Sequence, residues 1–77
     1  MAGIVLLYAT YPSMKSAKAA ALGAIKKRLC ACVNIVASSA QYKWGGRRKA
    51  AKEFIAIFKT TKARANALEA QIMANHP

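Results

Sequence analysis

Two segments of this sequence are apolar on both strand faces, and that feature limits the folds open to the chain. Residues 54–58, Phe-Ile-Ala-Ile-Phe, do not alternate with polar residues, and neither do residues 4–7, Ile-Val-Leu-Leu. A strand of an antiparallel sheet with one face in water alternates apolar and polar residues. A sheet built from these segments therefore needs cover on both sides.

The small size of the chain favours a partner for the second face. A domain of this length buries only about 60 % of the surface that its unfolded chain exposes. Yet 56 % of its 77 residues are apolar, which leaves apolar surface without cover. Another copy of the same sheet is the simplest partner. The alternative is a pair of ordinary strands with mild exposure, because short apolar runs are ambiguous.

The first third of the chain predicts a strand followed by a helix. Residues 4–8 form a β-type run, Pro12 blocks its continuation, and Ser13 is a good helix N-cap. Apolar residues at three- and four-residue spacing then predict the buried stripe of a first helix. They are Met14, Ala17, Ala21, Ile25 and Leu29.

The middle of the chain predicts a β-hairpin closed by Gly45-Gly46. Apolar residues stand at odd positions before residues 38–40 and at even positions after them. A β-bulge produces such a change of parity without a reversal of the chain, so we predict a bulge at residues 38–40. The apolar residues that change parity are Val33 and Ile35 before this point, and Tyr42 and Trp44 after it.

A second helix follows the return strand. Thr60-Thr61 can cap it, and Ala65, Leu68 and Ile72 form its apolar stripe. The order β-α-β-β-α suits an α+β two-layer sandwich with both helices on one face of the sheet. We expect a single domain over residues 1–77.

The charge balance argues against an enzyme. The chain carries 13 Lys and Arg residues against two acids, Glu53 and Glu69, and one His, for a formal charge of +11. General acid–base chemistry needs paired carboxyls or a His with a partner. The sequence also has no Gly-rich phosphate loop and no nucleophile–base pair. We therefore expect a protein without catalytic activity.

The basic residues raise the alternative of a nucleic-acid-binding module. Cations beside aromatic residues on a sheet can bind phosphates and stack bases. The cations are Arg47, Arg48, Lys49 and Lys52, and the aromatic residues are Tyr42 and Trp44. The competing interpretation is a solvated turn whose aromatic residues pack against a neighbouring subunit.

The two cysteines indicate a reducing compartment. Cys30 and Cys32 are too few and too close for a disulfide framework. We therefore expect a cytoplasmic location. The first apolar run is too short to span a bilayer, so no membrane association is expected.

Five segments, in order along the chain, resemble those of the CutA divalent-cation tolerance family. They are Tyr11-Pro12-Ser13, residues 27–36 (KRLCACVNIV), residues 42–46 (YKWGG), Phe58-Lys59-Thr60 and Asn75-His76-Pro77. The resemblance implies a ferredoxin-like fold and a homotrimer similar to small trimeric signalling proteins. It also implies a role in tolerance of divalent cations such as copper, with a cation or small ligand bound at a cleft between subunits.

The family differs from this chain beyond the His-Pro pair. Its members continue with a fourth strand and a final helix, whereas this chain stops at Pro77. The fold expected from the resemblance is therefore β-α-β-β-α with the usual last strand missing. That arrangement leaves the first strand as an open edge.

Four residues are expected at the subunit cleft or interface. Tyr42 and Trp44 belong to the aromatic hairpin, and Lys59 and Thr60 stand at a strand end where they could touch an anion. The alternative for the second pair is that they merely end the strand and start the helix.

Cys32 and His76 are the candidate metal ligands. Thiolate and imidazole suit copper or zinc, and a three-fold axis could multiply a single ligand into a closed site. Each also has a structural alternative, since Cys32 could be a small buried apolar residue and His76 a helix-terminal side chain.

Overall fold

A computed structural model describes residues 3–77 and contains three strands and two helices. In chain order they are β1 (Ile4–Tyr11), α1 (Met14–Lys26), β2 (Cys32–Trp44), β3 (Arg47–Thr61) and α2 (Lys62–Asn75). The order β-α-β-β-α confirms the expectation from the sequence.

The doubly apolar segment lies in the middle of the sheet. The strands are ordered β1-β3-β2, and both pairings are antiparallel. Phe58 of β3 is in register with Leu7 of β1 on one side and with Val33 of β2 on the other. Both helices cover one face of this sheet, which is the ferredoxin-like arrangement predicted above. In the described part of the chain β1 is an edge strand, as expected.

The core lies between the sheet and the helices. Ala56, Phe58 and Leu68 are completely buried, as are Ala17 and Ala24 of α1. The alanines let α1 lie close to the sheet, because a methyl group needs little space. Leu68, with half-buried Ala65 and Ile72, confirms the predicted stripe of α2.

The predicted stripe of α1 is only partly right. Ala17 and Ala21 are buried, but Met14 and Ile25 are exposed. The helix instead turns Ala24 into the core, because alanines recur at three- and four-residue spacing on that side. The larger apolar residues of α1 therefore remain on its outer surface.

Hydrogen bonds at both ends of α1 define where this helix begins and ends. Ser13 caps the start, accepting a hydrogen bond from the Ser16 amide at 3.1 Å, as predicted. At the end, the amides of Arg28 and Leu29 donate to the carbonyls of Ile25 and Ala24 at 2.9 and 3.0 Å. This is a Schellman motif, whose left-handed residue is usually glycine. Here that residue is Arg28, with φ at 57°.

The predicted β-bulge is wrong. The register of β2 with β3 runs without interruption from Cys32 opposite Lys59 to Trp44 opposite Arg47. Even-numbered residues of β2 therefore stay on one face throughout. The parity of the apolar residues changes because a different face becomes apolar towards the turn, not because the chain slips.

The hairpin formed by β2 and β3 extends past the helices. Its last residues in contact with the core are Ile35 and Phe54, and the molecule reaches 41 Å along its longest axis. The predicted turn is confirmed, since Gly45 and Gly46 adopt φ of 59° and 78°. Two successive positive φ angles match the twist of a tight hairpin and favour glycine.

Truncation of Leu68 tests whether α2 is held by the core. Leu68→Ala should lower the free energy of unfolding by roughly 2 to 5 kcal/mol, because it removes a fully buried side chain. Met73→Ala is the control in the same helix, since Met73 is 74 % exposed. It should change stability by no more than about 0.5 kcal/mol. Urea denaturation of both variants measures the two changes in the free energy of unfolding. Equal changes would contradict the placement of Leu68 in the core.

Candidate functional site

The sheet face turned away from the helices, called the open face below, carries a band of exposed apolar side chains. Leu6 and Tyr8 are 60 % and 72 % exposed, and Trp44 is 69 % exposed. Ile55 and Ile57 of the central strand lie half-buried between the edge strands. The other exposed members are Ile4, Val36 and Tyr42. The sheet is thus apolar on both faces, and the helices cover only one. A contiguous apolar surface of this kind is typical of an interaction site.

The hairpin tip carries four cations near its turn. Arg47 and Lys49 lie on the open face, and Lys43 and Arg48 lie on the opposite face. Tyr42 lies opposite Lys49, and Trp44 opposite Arg47, so these four residues share the open face. Arg48 pairs with Lys43 and points to the other side.

Lys52 also belongs to that other side. It pairs with Ser39, and its Nζ lies 5.8 Å from the centroid of the Phe54 ring. The structure therefore splits the predicted nucleic-acid set of Arg47, Arg48, Lys49 and Lys52 between two faces.

A second surface feature, called the basic cleft below, lies where β2 begins and β3 ends. Its volume is about 530 Å³. The cleft brings together Cys32, Lys59 and Thr60, three of the residues expected to form a site. The remaining lining residues are Ile4, Ile25, Arg28, Cys30, Ala31, Thr61 and Arg64.

The other two expected cleft residues lie elsewhere. Tyr42 and Trp44 stand at the turn end of the hairpin. Tyr42 is ten residues along β2 from Cys32, which is about 33 Å in an extended strand. Within one chain, the four expected cleft residues therefore form two separate groups, with Lys59 and Thr60 in the cleft and Tyr42 and Trp44 at the turn.

The charge of the basic cleft comes from three cations, of which sequence reasoning identified only Lys59. Arg28 and Arg64 join it, and among residues 3–77 no Asp or Glu lines the cleft. The run Lys26-Lys27-Arg28 was a signal for a cationic helix end. Arg64 gave a weaker signal, as a cation in the first turn of a helix, where acidic residues are favoured. A bare divalent cation would be repelled here.

Thr60 has a structural role in the cleft wall. It is 5 % exposed, and its hydroxyl donates a hydrogen bond of 2.6 Å to the carbonyl of Leu29. The amide of Ala31 also donates to the carbonyl of Lys59 at 2.9 Å. Together these bonds fix the loop between α1 and β2 against the end of β3.

The two thiols of the cleft differ in their environment. Cys30 is buried, and this burial, with a smaller contribution from Cys32, raises the pKa of the Cys30 thiol. Cys30 therefore stays protonated at neutral pH and is a poor metal ligand. Cys32 is half-buried on the open face, with its sulfur 4.0 Å from Oδ1 of Asn34. Both are free cysteines, as expected.

His76 packs against the far end of β1. Its Nε2 lies 2.6 Å from the carbonyl oxygen of Thr10, and its ring centroid is 4.8 Å from that of Tyr11. Its Nδ1 lies 3.0 Å from the oxygen of Pro77, so an oxygen atom stands at each ring nitrogen. A metal ion at Nε2 would have to displace the carbonyl of Thr10.

The structure does not bring Cys32 and His76 together within one chain. Cys32 is in register with Lys59, and Thr10, which contacts His76, is in register with Ile55. Four residues of β3 separate these positions, or about 13 Å, and they lie on opposite edge strands. Among residues 3–77, no three His, Cys, Asp or Glu side chains are grouped as a metal site would require.

Comparison with known proteins gives a consistent assignment. The model of the CutA1 divalent ion tolerance protein family matches residues 5–77. The chain belongs to the CutA1 divalent ion tolerance family. The divalent-cation tolerance protein CutA of Thermotoga maritima is 34 % identical over 74 residues, which cover 96 % of this chain and 73 % of the relative.

Solved CutA structures share the fold. CutA from Synechococcus elongatus superposes with a TM-score of 0.95 at 31 % identity, covering all of this chain and 69 % of the other. CutA1 from Ehrlichia chaffeensis gives 0.93 at 31 % identity, covering all of this chain and 73 % of the other. The resemblance seen in the sequence is thereby confirmed at the level of family and fold.

The names of CutA relatives refer to different compartments. The protein from Oryza sativa is called chloroplastic, and the structure from Archaeoglobus fulgidus is described as periplasmic. In this CutA chain, neither helix within residues 3–77 has the length and hydropathy needed to cross a membrane.

Adjacent threonines provide a test of how the cleft wall is held. Thr60→Val should lower the free energy of unfolding by about 1 to 3 kcal/mol, because the Leu29 carbonyl loses its donor. Thr61→Val is the matched control, since Thr61 is exposed and its side chain makes no capping bond to α2. Denaturant titrations compare the two, and an equal response would mean that the buried bond is not important for stability.

Proposed function

We propose that this CutA chain acts as a homotrimer associated with tolerance of divalent cations such as copper, and that it binds a cation or small ligand at its subunit interfaces. The proposal rests mainly on the exposed apolar side chains of the open face. Large apolar side chains lie on this face in all three strands, and a single chain leaves those of β1 and β2 exposed. Fully burying one such side chain is worth roughly 1.5 to 3 kcal/mol relative to exposure, and this gain supports association of these faces because it offsets part of the cost of bringing chains together.

The geometry of the hairpin supports assembly as well. The tip lies beyond the core of its own chain and carries Tyr42 and Trp44 on the open face. In an assembly built on this face, the tip of one chain reaches a neighbour. That contact would join the aromatic residues to a cleft from which they are distant in a single chain.

The trimer is tested by the molecular mass in solution. Light scattering after size exclusion should give three times the chain mass of 8.3 kDa. Tyr8→Lys should reduce the mass to that of one chain, because it places a charge in the apolar band of the open face, opposite Ile57 of the central strand. Met73→Lys is the control, since Met73 is equally exposed but lies on α2. A monomeric parent protein, or a trimer unaffected by Tyr8→Lys, would contradict the proposal.

Nucleic-acid binding is the second candidate, and one observation favours it. Tyr42, Trp44, Arg47 and Lys49 lie together on one exposed face, an arrangement that stacks bases and binds phosphates. It requires the open face to remain free. A monomer that binds a random oligonucleotide with a steep salt dependence would therefore select this function over the trimer.

For the cation, we propose Cys32 and His76 as ligands supplied by different subunits. Thiolate and imidazole favour copper and zinc. The separation of these residues within one chain means that a site with several ligands must include a second subunit. The charge of the basic cleft opposes a bare cation near Cys32, so the small ligand is the better supported part of the proposal.

Titration with zinc tests whether Cys32 and His76 are ligands. Zinc is used because it has no redox chemistry, whereas thiols reduce copper. Cys32→Ala and His76→Ala should each weaken zinc binding at least tenfold, by roughly the effect of losing a ligand contact. Cys30→Ala is the control, since its thiol is buried and protonated. Calorimetry at neutral pH measures the affinities. Equal affinities for all four proteins would remove Cys32 and His76 as ligands.

We also infer a cytoplasmic location and a role without catalysis. Two free cysteines suit a reducing compartment. The described residues that line the basic cleft include no carboxylate and no histidine, which are the side chains most often used for general acid–base catalysis.

A further inference from the structure

The basic cleft combines positive charge with an apolar wall. Arg28, Lys59 and Arg64 line it, and Ile4 and Ile25 lie beside them. The two acidic residues of the chain, Glu53 and Glu69, are not part of its lining. A cleft of about 530 Å³ has the size of a typical small-molecule site. Its lining selects a molecule with an anionic group and an apolar part.

The backbone of Arg28 provides an independent indication of function. This residue adopts a left-handed conformation at the end of α1, at a position where glycine is favoured. An arginine at such a position keeps backbone strain that glycine would relieve. Strained residues of this kind are concentrated at functional sites. Here the strained residue lines the cleft.

The cations of the cleft favour an oxyanion over a simple halide. A guanidinium binds two oxygens of a phosphate at once, with two parallel hydrogen bonds. Lys59 adds a point charge at the end of β3. The start of α2 lies at the same edge, since Thr61 and Arg64 line the cleft. Its first turn has no acidic residue, so nothing there offsets the favourable field of the helix dipole.

We propose that the basic cleft binds a small organic phosphate, with Arg28, Lys59 and Arg64 around the phosphate group and Ile4 and Ile25 against the apolar part. This deepens the small-ligand part of the proposed function by giving the ligand a chemical class. All of these residues belong to one chain, so the site does not depend on the trimer for its charge. Ile4 and Lys59 also belong to the open face, at the end of the sheet, so the cleft would lie at the edge of the proposed interface.

Phenyl phosphate and inorganic phosphate are suitable probes, titrated by calorimetry at neutral pH and constant ionic strength. Both should bind saturably, and phenyl phosphate should bind more tightly because its ring covers the isoleucines. Arg28→Gly and Arg64→Gln should each weaken the affinity for phenyl phosphate at least fivefold. Arg48→Gln is the control, since it removes the same charge from the hairpin, far from the cleft, and should change the affinity less than twofold.

Arg28→Gly separates binding from folding. Glycine suits the left-handed position, so the melting temperature of this variant should equal or exceed that of the parent while phosphate binding falls. An equal loss of affinity in Arg48→Gln would show that net charge alone attracts the probe, and would overturn the proposal. Absence of saturable binding in the parent protein would also overturn it.

Parallel measurements of molecular mass distinguish this proposal from that of the trimer. Phosphate binding by a monomer would support the cleft and refute the assembly, whereas a trimer that binds neither probe would refute the cleft alone. If an oligonucleotide binds, depends on Arg28 and is not displaced by phenyl phosphate, the cleft is a nucleic-acid site and the proposal is wrong.

Discussion

The central strand depends on apolar contacts on both sides of the sheet. Phe58 and Ala56 of β3 are completely buried under the helices, while Ile55 and Ile57 of the same strand face away from them. Both edge strands hydrogen-bond to β3, so this segment is paired on both sides. The chain has only two helices to cover it. The demand for a second cover, and with it the proposed assembly, follows from the composition of five consecutive residues.

The fold was readable from the sequence where local signals agree with tertiary ones. Ser13 as an N-cap, the glycine pair of the turn and the stripe containing Leu68 each indicated an element that the structure contains. The predicted β-bulge was wrong because a change from odd to even apolar positions shows only that the other face of the strand has become apolar. This happens along β2 where the hairpin passes the helices. The stripe of α1 was partly wrong because small residues, rather than large ones, pack against the sheet there.

The candidate site was less accessible to sequence reasoning. Lys59 and Thr60 were recognised from a strand end, but Arg28 comes from a distant part of the chain and reaches them only through the topology, and Arg64 lies one helical turn further along the chain in α2. Whether a polar group is already satisfied also cannot be read from residue type. Thr60 uses its hydroxyl for Leu29, and His76 contacts the carbonyl of Thr10. The contact with Thr10 holds His76 away from the basic cleft, whereas Cys32, the other expected metal ligand, lines the cleft, whose charge favours anions.

The reach of the hairpin beyond the core links folding to protein concentration. An isolated pair of strands is only marginally stable in water, and no side chain between Ile35 and Phe54 belongs to the packed core of the described residues. If neighbouring chains supply that packing, order at the tip is governed by mass action, since a partner that binds only the folded state shifts the equilibrium. Dilution would then loosen the aromatic tip before it affects the helices, so the order of the Gly45-Gly46 turn would depend on the concentration of the chain.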